Sequence, residues 1–454
     1  MPTRIGKQAV VVGAGMAGLI AARSLADFFE RVIVLENDAL PKEPTHRPGT
    51  PQSRHLHGLL AGGLQALNRL FPGFEESLSQ AGAVGLRMGY DYRLERPGYD
   101  PFPQRDLGLL VYSMTRPLLE FTVRKELGRY RNIELREGCR AQEFIPTPDD
   151  AGVAAIRCKS SDTGSETLSA DLVIDASGLG SLTLELLHSI GWPVPEETLI
   201  GVDIGYATAL FDIPEEKPDW MGAATFPHYP SNKRAALMLP VEGKRWVLTL
   251  VGRYDEKPPA DWDGFLTFAQ HLRTPTIYNA IRHAKRPSEI TRFGFKASCW
   301  RHFERLDRFP RALLPFGDAI CRFNPIYGQG MSVAALEAEA LNGLLRAQST
   351  ESNGLARSFF TETEKLIDTP WWAAAIPDFI DPRTEGQRPS DFEETLKFFA
   401  ALLRLAAQDA AVHKLFIEVQ SLLKLRSEYR NPELVRRIKA TMAEAQTSSS
   451  RGPQ

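Results

Sequence analysis

The sequence predicts an α/β fold: a Rossmann-like domain with an inserted antiparallel-sheet domain and a C-terminal helical segment. Three observations predict it. A short β-branched run, Ala9 to Val12, enters the glycine turn Gly13-Ala14-Gly15-Met16-Ala17-Gly18 and then a helical pattern. From about Gly201 to Arg253 the chain changes to strand-like runs separated by Pro and Gly turns. Beyond Pro370 come two amphipathic helical segments, whose spacing suits a packed cap. The 454 residues leave room for this. At roughly 150 residues per unit they make two or three domains, or one large α/β domain with insertions.

Taken in order, Ala9-Val10-Val11-Val12 reads as a buried parallel strand, Met16 to Leu25 as a helix, and Val32-Ile33-Val34-Leu35 as a second buried strand, together a βαβ unit. Residues 37 to 54 contain Pro41, Pro44, Pro48 and Pro51, so they form an extended loop. Helical periodicity is expected from Leu56 to Leu70 and from Arg116 to Leu127, and a buried strand at Asp171 to Ile174. Ile204 to Phe211, Ala235 to Leu239 and Trp246 to Val251 are the strands of the inserted sheet. Ala312 to Phe316 returns to the buried-strand pattern, Met331 to Leu345 is a helix, and helices follow near Phe392 to Ala407 and Ala411 to Leu425. The expected division is 1–78, 106–190 and 291–368 for the Rossmann-like part, 79–105 and 191–290 for the substrate-binding sheet, 369–446 for the C-terminal helices, and 447–454 as a disordered tail.

Composition excludes several classes. With 43% hydrophobic and 24% charged residues the chain is not disordered, and 54 basic against 56 acidic residues, a net charge of -2, argues against nucleic acid or an anionic membrane as a partner. Cys139, Cys158, Cys299 and Cys321 lie far apart, in no CxxC pair or disulfide framework, so a reducing cytoplasm is the expected location. Arg4 and Lys7 before the apolar stretch Ala9 to Ala22 imitate a secretion signal, but the glycine turn explains that stretch differently. No apolar run reaches the roughly 20 residues that span a bilayer. The stretch Phe398 to Val412 is broken by Arg404 and Asp409. A protein without a transmembrane segment is expected, and nothing in the pattern fixes its oligomeric state.

The glycine turn carries the first chemistry. Gly13 permits a tight turn, Gly15 lets the backbone approach a pyrophosphate, Gly18 allows close helix–strand packing, and Met16 and Ala17 open the helix whose N-terminus faces the phosphates. Glu36, ending the second strand, can accept hydrogen bonds from an adenosine ribose and would repel a 2′-phosphate. The choice between FAD and NAD rests on Leu314-Pro315-Phe316-Gly317-Asp318-Ala319 and Asn324-Pro325-Ile326-Tyr327-Gly328-Gln329-Gly330-Met331. Asp318 can meet a ribityl chain. Pro325 and the glycines deliver a helix start near Gly330, where backbone at Gly328, Gly330 and Met331 can stabilise negative charge at flavin N1 and O2. FAD, held noncovalently, is therefore expected in a Rossmann-like FAD-binding domain.

The glycine motif, the Asp175-Ala176-Ser177-Gly178 turn and the segment from Gly317-Asp318 to Met331 resemble, in order and spacing, the single-component class A flavoprotein monooxygenases of the aromatic-hydroxylase fold, over about residues 8 to 345. Within that group, the loop His46 to His57 and the run Phe323 to Ser332 look most like the flavin-dependent epoxidases of polyether antibiotic biosynthesis, of the monensin and lasalocid kind. The resemblance implies an FAD-dependent monooxygenase of secondary metabolism that passes one oxygen atom from O2 to an apolar organic substrate, by epoxidation or hydroxylation, through a flavin C4a-hydroperoxide. It also implies that Arg116, at a helix start, contacts FAD; Arg47 and Arg54, flanking the proline-rich loop, are further candidates. A surface arginine at a helix start is the plain alternative for Arg116.

Two departures from that pattern matter. Ser177-Gly178 stands where many aromatic hydroxylases have Asp-Gly, and Cys321 stands where they have His. Ser177 puts direct use of NAD(P)H in doubt and makes a separate flavin reductase an alternative electron source. His55 and His57 form H-x-H with no third ligand at metal spacing, so no metal is expected; they start a helix beside the flavin or cap it. Trp371-Trp372 reads as core or pocket wall rather than a substrate clamp. Neither the G-x-S-x-G of serine hydrolases nor the W-x-W-x-I-P of flavin halogenases is present. The rival functions are an FAD-dependent reductase or dehydrogenase of an isoprenoid-like alkene, and a non-catalytic flavin-binding redox protein.

Overall fold

Ala9, Val10 and Val11 are wholly buried in the strand Gly6–Val12, the helix Met16–Leu25 follows, and Phe29–Leu35 returns parallel to the first strand. The computed structural model describes residues 4–160, 164–216, 218–347 and 354–450. It places this unit in a five-stranded parallel sheet, in the order Leu313–Pro315, Leu172–Asp175, Gly6–Val12, Phe29–Leu35, Ile133–Arg136. Val12 is in register with Leu35 on one side and Asp175 on the other, and Asp175 with Pro315. The strands therefore end together, and the turns beginning at Gly13, Glu36, Ala176 and Phe316 gather at one edge. That edge, outside the carboxyl ends of the strands, is where open α/β sheets bind ligands.

The second layer is a seven-stranded sheet, in the order Cys321–Arg322, Thr291–Arg301, Glu197–Asp212, Arg245–Arg253, Ala235–Val241, Gly222–Thr225, Tyr92–Glu95, antiparallel except for its last pair. Its side chains alternate with the two-residue period of a strand. Ile204, Tyr206 and Val251 join the core shared with the parallel sheet, while Ala207, Ala209 and Phe211 pack with Phe265, Phe268 and Ile277 of the helices Trp262–Gln270 and Thr276–Ile281. The three expected strand runs all fall in this sheet. Thr291–Arg301 pairs along Glu197–Asp212, so the sheet also takes residues that the sequence assigned to the Rossmann-like part.

Other differences have local causes. The helix expected from Leu56 starts at Ala61, because the Leu56 and Leu60 N–H groups donate to the hydroxyls of Thr249 and Ser332 instead of entering a helical ladder. A three-stranded meander, Cys139–Pro146, Val153–Ser160 and Gly164–Ser169, was not foreseen. At the C-terminus, Phe392–Gln408 matches expectation and Ala410–Gln420 stops five residues short of the expected Leu425, while Leu355–Asp378 stays helical through Pro370 and Pro377 and crosses the expected boundary at 368/369. A last helix, Pro432–Ser450, corrects the disorder expected from Thr447; residues 451–454 lie outside the described residues. Trp371 is buried with its ring 5.6 Å from that of Trp300, a packing role. Among the described residues no helix is long and apolar enough to cross a membrane.

Candidate functional site

The turns at the carboxyl edge of the parallel sheet enclose a cleft of about 660 Å³ whose walls include Gly13, Gly15, Met16, Ala17, Glu36, Arg47, Arg116, Ser177, Asp318, Gly330 and Met331. The glycines divide by purpose. Gly13 has φ +95°, and a Cβ there would lie 2.7 Å from the Ala176 carbonyl oxygen; a Cβ on Gly18 would lie 1.8 Å from the Gly13 oxygen. Both positions are closed by packing. A Cβ on Gly15 would meet nothing within 4 Å, so here the missing side chain leaves open space in front of the helix Met16–Leu25, whose N-terminus has no side-chain cap.

Glu36 accepts the Ala14 N–H at 2.9 Å and the Asp38 N–H at 3.0 Å. Arg47, also buried, lies 3.2 Å from Glu36, 2.9 Å from Asp38 and 2.9 Å from Glu120, and donates to the Ala14 carbonyl at 3.1 Å. Burial opposes the Arg47 charge, but Glu120 and Glu36 raise its pKa above the ordinary value. With three carboxylates around it, Arg47 braces the turn and Glu36. Arg116 differs: it is buried at the start of the helix Arg116–Leu127, 3.5 Å from Glu120, and its Nε has no hydrogen-bond partner. Burial lowers its pKa, with Glu120 and Asp318 acting against this. Arg54 is exposed and does not line the cleft.

Asp318 is exposed toward the cleft at the end of the strand Leu313–Pro315. Crowding by the cleft walls raises its pKa, while Arg116 and Arg322 pull it down. The turn before it is fixed by Gly317, which has φ +64° and donates its N–H to Glu337 at 2.8 Å. Burial pushes the Glu337 carboxyl up to about 8, against the effect of that N–H. Gly330 and Met331 begin the helix Gly330–Arg346 at the cleft wall. Pro325 is exposed, and Gly328, with φ +64°, faces Gly58 instead of the cleft.

The loop leading to that helix depends on residues that the sequence reasoning missed. Asn324 accepts the Ile326 N–H at 3.2 Å and donates to both oxygens of Asp378 at 3.0 Å. Asp378 has no solvent exposure, also accepts the Tyr327 hydroxyl at 3.0 Å, and pairs with Arg253 of the large sheet. His55 and His57 do not start a helix. The Nδ1 of His57 lies 2.8 Å from the His55 carbonyl, and that of His55 lies 2.7 Å from the Thr208 hydroxyl. Burial, with Arg116 beside His57 and His46 and Arg54 near His55, lowers His57 to about 3 and His55 to about 4. Where metal-ligand types do gather among the described residues is Cys139, Cys158 and Glu166, with ligand atoms within 4.8 Å of one another. These cysteines are distant in sequence but neighbours on the meander. Burial and Cys139 push the Cys158 thiol up to about 12, which keeps it protonated at neutral pH.

The site fits FAD: room before an uncapped helix end, a buried guanidinium whose Nε has no partner, and a carboxylate further along the same cleft. The chain belongs to the FAD binding domain family, whose model matches residues 7–357, and is an FAD-dependent oxidoreductase. It is 32% identical over 456 residues to Protein Rv3254 of Mycobacterium tuberculosis, a match covering 93% of this chain and 92% of that protein. In fold it is similar to a flavoprotein/dehydrogenase from Cytophaga hutchinsonii, at 15% identity and TM-score 0.69 over 97% of this chain and all of that one. It is likewise similar to p-nitrophenol 4-monooxygenase PnpA from Pseudomonas putida DLL-E4, at 17% identity and TM-score 0.64 over 94% of this chain and 100% of that one. The expected FAD-binding fold is thereby shown.

Proposed function

We propose that the protein is a monooxygenase that places one oxygen atom from O2 in an apolar organic molecule. The observation that carries this reading is the meeting of two surfaces: the cleft of Arg116 and Asp318 lies beside the loop Asn324–Gly330, and that loop touches the apolar face of the large sheet through Tyr206, whose hydroxyl is 3.4 Å from the Asn324 side-chain oxygen. A nucleotide end and an apolar substrate end are what flavin oxygenation requires.

Bound and reduced, FAD supplies the activation of dioxygen. The chain supplies position. Glu36, held by Ala14 and Arg47, takes the ribose; Arg116, with its unpaired Nε, takes the pyrophosphate; Asp318 takes the ribityl chain. Gly330 and Met331, at the start of their helix on the cleft wall, would offer backbone N–H groups and the positive end of a helix dipole to negative charge on a reduced flavin. Gly328 and Pro325 shape the loop ahead of them, and Arg54, exposed outside the cleft, is not counted among the FAD contacts. Tyr206, Val251 and Phe293 keep water from the reacting carbon. The likeness of the loops at 46–57 and 323–332 to polyether epoxidases favours alkene epoxidation, with ring hydroxylation as the alternative. Ser177, whose hydroxyl donates to Asp175 at 2.6 Å, favours a separate flavin reductase over NAD(P)H bound by this chain. A cytoplasmic enzyme of secondary metabolism suits these features.

Stopped-flow reduction by NADH and NADPH, with and without a flavin reductase, tests the electron source. Flavin bleaching by either nucleotide alone, at the rate of turnover, would show that this chain accepts hydride directly. Isotopically labelled dioxygen offered to the reduced protein with alkene and phenol probes tests the reaction. One labelled atom in the product is expected; probe reduction or dehydrogenation without label would replace oxygenation by the dehydrogenase reading.

A further inference from the structure

Cys139 begins the strand Cys139–Pro146, Cys158 lies near the end of Val153–Ser160, and Glu166 lies in Gly164–Ser169. Cys158 stands directly opposite Ala141 on one neighbouring strand and Glu166 on the other, and Cys139 comes two residues before Ala141. With the two-residue period of a strand, all three side chains share one face of the meander. That face packs with Ile33 and Leu35 of the parallel sheet, which leaves Cys139 2% and Cys158 0% exposed. The two sulfurs and a Glu166 carboxylate oxygen lie within 4.8 Å of one another.

The cluster is held from behind. Glu166 Oε1 accepts from Arg136 at 3.0 Å, while its second oxygen makes no hydrogen bond among the described residues. A carboxylate fixed through one oxygen presents the other to a cation, the part that outer partners play for metal ligands. The Cys139 N–H donates to the Glu36 carbonyl at 2.8 Å, and Cys139 borders the FAD cleft, which gives the cluster an entry path.

We propose that Cys139, Cys158 and Glu166 bind one Zn2+ ion, with a solvent molecule as the fourth ligand. Two thiolates and a carboxylate suit this borderline-soft cation, whereas Mg2+ and Ca2+ take oxygen ligands. Zn–S bonds of about 2.3 Å in a tetrahedron hold two sulfurs roughly 3.8 Å apart, a spacing the cluster reaches without moving a strand. As the ion binds, two S–H bonds break, two Zn–S bonds form, and both protons go to bulk water. Burial, then Cys139 and Glu166, oppose a free thiolate at Cys158, and the charge of a divalent cation reverses that balance. The ion pins the three strands of the meander behind Glu36. Neither FAD nor O2 takes part in holding it, so the site stands apart from the oxygenase reading.

The test uses reduced, FAD-loaded protein dialysed against zinc and then against metal-free buffer. The wild type should retain one zinc ion per chain, and X-ray absorption at the zinc edge should show two sulfur neighbours at about 2.3 Å. Cys158→Ser should lose a sulfur neighbour and most of the retained zinc. Glu166→Gln, at a partly exposed position that leaves both sulfurs in place, should weaken zinc binding roughly tenfold or more in competition with a chromogenic chelator. It decides the matter even if Cys158→Ser does not fold. Cys299→Ser, on the large sheet, should match the wild type. A folded, reduced wild type that retains no zinc overturns the proposal. So does zinc without sulfur neighbours, an unchanged sulfur count in Cys158→Ser, wild-type affinity in Glu166→Gln, or loss of zinc in Cys299→Ser.

Discussion

Asp378→Ala removes the acceptor that ties the flavin loop to the large sheet. Its carboxylate, with no solvent exposure, takes Asn324 on both oxygens at 3.0 Å, the Tyr327 hydroxyl at 3.0 Å and the Arg253 guanidinium. Burial alone would lower the Arg253 pKa; Asp378, then Tyr327 and Tyr229, raise it instead. Alanine leaves that guanidinium charged and buried without its partner. Breaking a buried pair costs about 3–5 kcal/mol, and the lost acceptor for Asn324 and Tyr327 adds less than its separate worth because the groups form one network. A loss of about 4 kcal/mol is expected, a large part of the roughly 5–15 kcal/mol that holds a domain folded. The assay is urea denaturation of the wild type, of Asp378→Ala, and of Asp378→Leu combined with Arg253→Met. The double variant should recover much of the loss, since an apolar pair leaves no stranded charge. An Asp378→Ala variant within about 1 kcal/mol of wild type would refute the network.

Three further outcomes follow from the same geometry. Asp318→Ala should fold normally and bind FAD on the order of tenfold to a hundredfold more weakly, since a hydrogen bond to a charged group is worth roughly 1.5–3 kcal/mol; fluorescence titration at wild-type affinity would remove its ribityl role. Gly18→Ala should fold poorly, as judged by thermal melting, because its Cβ falls 1.8 Å from a backbone oxygen. Acid should destabilise the fold through His55 and His57, which burial lowers to about 4 and 3. Neutral when folded, they bind fewer protons than the unfolded chain. Their contribution is therefore full above pH 6.5 and declines below it, by on the order of 1–2 kcal/mol each at pH 5. His55→Phe should flatten that slope in melts at pH 7 and pH 5, and an unchanged slope would count against it.

What could be read from sequence was local. Gly13, Gly15 and Gly18 sit within one turn, where backbone geometry and close packing dictate the residue, and Thr115-Arg116-Pro117 carries its own helix start, with the Thr115 hydroxyl accepting the Leu118 N–H. The run from Ile204 to Phe211 read as a strand from its β-forming residues between turns, whereas its two faces, each meeting a different core, appear only in the fold. The misses were long-range. Asp378 is 54 residues from Asn324 and 125 from Arg253, inside a helix that two prolines argued against. Cys139 and Cys158 meet only because two strands fold back on each other. The helix was expected too early at Leu56 because periodicity cannot show that Thr249 and Ser332 claim the backbone donors.

The central claim, FAD in the cleft before the helix Met16–Leu25, is tested most directly by titrating FAD into the apo-forms of the wild type and Gly15→Val. A side chain at Gly15 meets nothing in the protein within 4 Å, so the variant should melt close to wild type while filling the space reserved for the pyrophosphate. The account predicts saturable FAD binding by the wild type, with flavin released on denaturation, and none by the variant at the same concentrations. Equal FAD affinity in the two proteins, or none in a folded wild type, would contradict it.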